Sequence, residues 1–113
     1  MTTDKTGAQT TVAVEPDRYT IAVDGTNAGF AAFADRGAQR VFHHTEIDPA
    51  FGGRGLATLL LAEALRATRA DGKRIVPVCS MVGTVLKKHP EYLDITDPVT
   101  DEVAAWLATQ TAR

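Results

Sequence analysis

The spacing of apolar positions changes at about residue 54, from a period of two to a period near 3.6. Ahead of that point the runs are short and β-like. Tyr19-Thr20-Ile21-Ala22-Val23 alternates apolar with less apolar side chains, and Asp24-Gly25-Thr26-Asn27 behind it is turn chemistry. Residues 28–34 return as a second strand, so the stretch predicts a hairpin. A second turn, Asp35-Arg36-Gly37, leads into residues 40–47, rich in Val, Phe, Thr and Ile. Three successive strands joined by tight turns predict an antiparallel meander. Pro49 and the Gly52-Gly53 pair end it.

A helical pattern then runs over residues 54–70, with apolar side chains at 56, 57, 59, 60, 61, 64, 65 and 67. Glu63, Arg66 and Arg69 form its polar stripe, and Asp71-Gly72 closes it. So wide an apolar arc predicts a helix held between the sheet and other structure. Residues 74–78 read as a short buried strand, 80–88 as a helix ending before Pro90, and 101–109 as a last helix. Asp97-Pro98 and Asp101-Glu102 are turn and helix-start chemistry. The order predicts an α/β domain with a mixed sheet: an antiparallel meander followed by α–β–α. One domain spans residues 12–113, and the small polar residues 1–11 are expected as a disordered tail.

Composition narrows the function classes. With 113 residues, 44% hydrophobic and 23% charged, the chain holds one globular domain with a modest core. The net charge of −2 and the lack of a basic block argue against nucleic acid as partner. Lys87-Lys88-His89 is a local cationic group suited to one small anion. Cys79 is the sole cysteine, so no internal disulfide forms, and a lone thiol suits a reducing compartment. Residues 1–11 lack the apolar core of a signal peptide, and no apolar run is long enough to span a bilayer. The expectation is a cytoplasmic protein, monomer or weak dimer, with no membrane partner and no bound metal.

The chemistry concentrates at residues 47–57, where a glycine-rich turn joins a strand to the long helix. Open N–H groups and partial positive charge make a helix N-terminus a cradle for phosphate, and glycine lets an anion reach the backbone. Neither the P-loop pattern nor G-x-G-x-x-G occurs here.

The segment resembles the pyrophosphate loop of the GCN5-related N-acetyltransferases, [QR]-x-x-G-x-[GA] after a strand ending in V/I-x-P. Ile47-Asp48-Pro49 leads into Gly52-Gly53-Arg54-Gly55-Leu56-Ala57, with Gly52 in place of the usual Gln or Arg. The resemblance is closer to a short subfamily, the YjdJ-like or N-acetyltransferase domain-containing protein 1 type. His44-Thr45-Glu46-Ile47, Pro77-Val78-Cys79-Ser80 and His89-Pro90-Glu91-Tyr92 match its three further motifs in order. The match covers about residues 19–93.

The resemblance implies acetyl-CoA held by backbone donors of residues 53–57 next to Ile47 and Gly52, with pantetheine beside splayed strands and Arg54 and Lys87 or Lys88 near phosphate. It also implies an acceptor amine of unstated identity, small molecule or peptide. Cys79 stands where larger relatives place Asn. Its thiol is a candidate to relay the acetyl group or to protonate the departing thiolate, and equally a candidate for inert packing. His44 and Glu46, two apart on a strand, share a face and are candidates for the base that deprotonates an acceptor ammonium. His43 is expected on the opposite face as packing or surface, and Tyr92 and Trp106 as packing.

Two departures stand against efficient turnover. Val41 falls where histone-acetylating relatives place a glutamate, and Leu86 where many place a tyrosine. Pro16-Asp17-Arg18 also leaves no room for the helices that form much of the acceptor site in longer relatives, so that face is expected open. The enzyme reading therefore stands beside two others: a CoA or acyl-CoA binding module with little turnover, and a plain interaction domain.

Overall fold

Residues 2–111 are described by the computed structural model. Thr2–Thr3 (β1) and Gln9–Glu15 (β2) precede the predicted meander of Arg18–Val23 (β3), Thr26–Arg36 (β4) and Gln39–Ile47 (β5). A 3-10 turn, Pro49–Phe51, leads into Leu56–Ala70 (α1) and then Arg74–Pro77 (β6). Ser80–Lys88 (α2), a second 3-10 segment at Pro90–Ile95 and Asp101–Thr111 (α3) complete the chain. The strands lie in sequence order across one sheet, antiparallel except for the parallel pair of β5 and β6. This is the mixed-sheet α/β fold that the periodicity predicts.

Residues 2–11 differ from the disordered tail expected of them. β1 pairs with the start of β2, and β2 runs against β3 from Thr10↔Val23 to Glu15↔Arg18. Asp4 supplies the reason. Its carboxylate accepts from the Thr6 amide (2.8 Å), the Thr6 hydroxyl (2.6 Å) and the Ala8 amide (3.1 Å), closing the turn between the two strands. Thr and Val then suit the β2 ladder without a strong hydrophobic signal. Met1 lies outside the described residues.

Two apolar layers flank the sheet. Leu56, Leu60, Leu61, Ala64 and Leu65 of α1 pack on Tyr19, Ile21, Phe33 and Phe42, all buried. Each leucine removed from water there contributes about 1.5–3 kcal/mol. On the other face Val103 and Leu107 of α3 cover Val41 and Val76, with Trp106 partly buried beside them. Val41 and Leu86 are buried packing residues.

Arg40 pins one end of the α1 layer. Its guanidinium reaches Asp35 (3.0 Å), Asp71 (2.9 Å) and the Tyr19 hydroxyl (2.6 Å) and lies over the Phe33 ring. Burial opposes its charge, but the bonds to Asp35 and Asp71 outweigh that and hold its pKa above the ordinary arginine value.

Two irregularities shape β5. Opposite β4, Phe33 pairs with Phe42 but Ala32 pairs with His44, so His43 is an extra residue, a β-bulge. Pairing with β6 then stops: it runs from Gln39↔Arg74 to Phe42↔Pro77, and the Cys79 amide makes a last bond to the Phe42 carbonyl (2.9 Å). Beyond that point residues 43–47 diverge from the chain entering α2. Gly29 fixes where the diverging end lies. A Cβ on it would sit 2.4 Å from the Glu46 carbonyl oxygen and 2.6 Å from Ile47 Cδ1, so only glycine permits this approach.

Candidate active site

The diverging end of β5 divides its side chains between two faces. Thr45 is buried on the α1 side, where its hydroxyl accepts from the Cys79 thiol at 3.4 Å. His44 and Glu46 emerge on the other side, exposed, with His44 Nε2 and Glu46 Oε2 3.3 Å apart. The His44 ring lies 5.8 Å from that of Phe30. His44 and Glu46 are thus brought together as the strand period predicts, while Cys79 stands across β5 from both.

His43 corrects one expectation. It lines a recess with Ala32 and Ala34, on the face to which Phe30 also belongs, and so shares a side with His44. The bulge is the cause, because an inserted residue breaks the alternation. Burial first, then the neighbouring His44 charge, pushes the His43 pKa below the ordinary histidine value, against a smaller opposing effect of Asp17.

The turn after β5 is built by local bonds. Asp48 accepts from the Ala50 amide (2.9 Å), Pro49 starts the 3-10 turn, and the Gly52 amide bonds the Pro49 carbonyl (3.1 Å). Gly53 (φ +77°) and Gly55 (φ +75°) then take left-handed conformations that a side chain disfavours. Gly55 caps α1 without a side chain, and the first bond of the helix joins the Leu59 amide to the Gly55 carbonyl (3.2 Å). Among the described residues, the amides from Gly53 through Leu56 and Ala57 to Thr58 have no acceptor. No Asp or Glu occurs in residues 49–58, and nothing lies within 4 Å of a Cβ placed on Gly53. Open donors, a helix N-terminus and free approach fit a diphosphate.

Arg54, expected near phosphate, stands within the turn with partners of its own. Its guanidinium pairs with Asp4 at 3.4 Å and lies 5.2 Å over the Phe51 ring. Asp4 is a site residue the sequence reading missed, although Asp4-Lys5-Thr6-Gly7 between Thr-rich runs is itself a turn signature. The Thr6 hydroxyl above all, with the Thr6 and Ala8 amides and Arg54, holds its carboxyl below the usual carboxylate range despite burial. Thr45 stands in the His44-Thr45-Glu46-Ile47 motif, but its place as the thiol's partner was missed because nothing in the sequence links it to Cys79.

Lys87 sits exposed in the last turn of α2, with no hydrogen bond or ion pair among the described residues. Tyr92 is partly buried against the core, and Arg69 lies over its ring at 5.4 Å, which is packing. Ile47 packs partly buried against the same core. No cluster of metal-ligating side chains occurs among the described residues, and no described helix is long and apolar enough to cross a membrane.

A search of curated proteins gives no match. The family model of the GCN5-related N-acetyl-transferases matches residues 18–95, which includes the meander, the glycine turn, α1, β6, Cys79 and α2. The strand that leaves its parallel neighbour beside a glycine-started helix therefore has a family context, and the chain belongs to the GCN5-related N-acetyltransferases.

Proposed function

We propose that this chain transfers an acetyl group from acetyl-CoA to a primary amine. The observation that carries the reading is the divergence of β5 from β6 at Phe42, next to a turn whose amides from Gly53 to Thr58 lack acceptors. Open amides at the turn suit a diphosphate, and the end of the β5–β6 pairing beside them is where the rest of the cofactor would run. Acetyl-CoA brings the activated thioester. The residues of the chain hold it, orient it and move protons.

In the transfer the amine nitrogen bonds to the thioester carbonyl carbon as the carbon–sulfur bond breaks. The nitrogen gives up a proton and the departing thiolate takes one. His44, its Nε2 3.3 Å from Glu46 Oε2 on the exposed side of β5, is the candidate to accept the first proton. Cys79, hydrogen-bonded to Thr45 on the opposite side of β5, is the candidate to supply the second. Direct attack by the amine is preferred to an acetyl-Cys79 relay, because the base pair and the thiol stand on different faces.

Charge supports an amine as the acceptor. Glu46 and Asp48 border a recess of about 340 Å³ beside Phe30, and two carboxylates there favour an ammonium group. The two-residue turn Pro16-Asp17 between β2 and β3 adds no helix to that face, and no residue of α3 lines the recess beside Phe30 and Glu46, which suits loose acceptor choice, peptide or small amine.

The separation of Cys79 from His44 also favours a second reading, a CoA-binding module with little turnover. A thermal-shift series with CoA, acetyl-CoA and longer acyl-CoAs, followed by thiol-release assays over an amine panel, tests both. A ligand that binds only the folded state raises its melting temperature. A rise with acetyl-CoA plus amine-dependent thiol release supports transfer, and a rise alone supports the binding module. No response to any CoA species removes both.

A further inference from the structure

The 52–57 turn offers amides but no free cation of its own. Gly52, Gly53 and Gly55 have no side chains, and the Arg54 guanidinium is taken up by Asp4 and the Phe51 ring. A diphosphate carries two negative charges that amides alone balance only in part.

The N-terminal hairpin brings a cation to this spot. The Lys5 amide donates to the Arg54 carbonyl at 3.1 Å, and the Lys5 side chain lies along Gly55. A Cβ on Gly55 would stand 3.1 Å from Lys5 Cε, 3.5 Å from its Cγ and 3.6 Å from its Cδ, so the side chain runs alongside the residue that precedes α1. Lys5 is exposed, and its ammonium has no hydrogen bond or ion pair among the described residues. Its backbone is nonetheless fixed. Asp4 beside it has a fully buried side chain that ties the turn to Thr6, Ala8 and Arg54. An exposed lysine on a pinned backbone, its side chain beside Gly55 at the start of a row of open amides, is suited to one anionic ligand.

We infer that Lys5 is a phosphate-binding residue of this site, its ammonium gripping the diphosphate of the CoA held by the 52–57 turn. The inference rests on the proposed CoA-binding function and adds residues 4–8 to the ligand site.

Calorimetry with CoA on wild type, Lys5→Ala and Lys5→Arg tests it, with 3′-dephospho-CoA and pantetheine as further probes. Lys5→Ala is expected to bind CoA about tenfold more weakly, the loss of one partly solvated charge-assisted bond, while Lys5→Arg retains most of the affinity. The same factor is expected with 3′-dephospho-CoA and none with pantetheine, which lacks the diphosphate. An unchanged melting temperature without ligand separates this from misfolding. Wild-type affinity in Lys5→Ala overturns the Lys5 assignment and leaves the proposed function standing. A loss confined to CoA and absent with 3′-dephospho-CoA overturns the diphosphate assignment in favour of the 3′-phosphate. Failure of the wild type to bind CoA removes the proposed function, and the Lys5 assignment with it.

Discussion

The Cys79 thiol donates to the Thr45 hydroxyl at 3.4 Å, from the side of β5 opposite to that of His44 and Glu46. The thiol thus has a partner through which its proton can be oriented, and it is half-buried rather than sealed in the core. If it protonates the leaving thiolate, Cys79→Ala lowers kcat by about 10²-fold, the scale of a lost proton-transfer group, with CoA affinity unchanged. His44→Gln, which keeps a hydrogen-bonding side chain but removes the base, is expected to lower kcat with CoA affinity unchanged. Unchanged kcat in Cys79→Ala confines the thiol to packing against the core.

The glycine turn gives a cleaner test at Gly53 than at Gly55. Both have positive φ, but a side chain on Gly55 meets Lys5, whereas Gly53 opens to free space. Asp and Asn tolerate left-handed backbone better than most residues. Gly53→Asp is therefore expected to fold and to bind CoA at least about tenfold more weakly, because its carboxylate faces the diphosphate. Gly53→Asn, equal in size and uncharged, should lose much less. Calorimetry showing equal losses for the two would mean that bulk rather than charge is responsible.

A third expectation concerns the strand end that carries the candidate base. Gly29→Ala puts a methyl group 2.4 Å from the Glu46 carbonyl oxygen, and backbone cannot yield as a flexible side chain can. A stability loss of about 2–4 kcal/mol is expected. Urea unfolding measures it, and a loss below about 0.5 kcal/mol would show that β4 and β5 part easily here.

Much of this was legible before any coordinates. The meander, the long helix from its 3.6 period and the helix at residues 80–88 follow from local pattern, because each buries one face against a single layer. The glycine turn was legible for the same reason, since its conformation is set by its own residues. What escaped depends on distant partners. The role of Asp4 comes from Arg54, fifty positions along, and that of Thr45 from Cys79. Neither pairing leaves a periodic trace. The His43 bulge also escaped, because an inserted residue reads as ordinary alternation until its partner strand is known.

That bulge leads to a pH prediction. His43 lines a recess bordered by Asp17, Arg18, Asp35 and Gln110, and burial there pushes its pKa below the ordinary 6.5. The unfolded chain protonates His43 near 6.5, while the folded chain resists until a lower pH, so below 6.5 the unfolded state binds more protons. Stability should therefore fall as pH drops through 6.5 and level off once the folded histidine is itself protonated. The lowered carboxyls of Asp4, Glu63, Glu91, Asp94 and Asp97 also lose stability as pH falls, but only nearer pH 4, outside this window. Urea midpoints at pH 7.5 and 5.5 should therefore differ in the wild type and differ less in His43→Gln, which keeps a polar side chain but cannot take the proton. Should the two proteins lose the same stability between those pH values, His43 is not the residue responsible. The bulge would then be a matter of strand geometry alone.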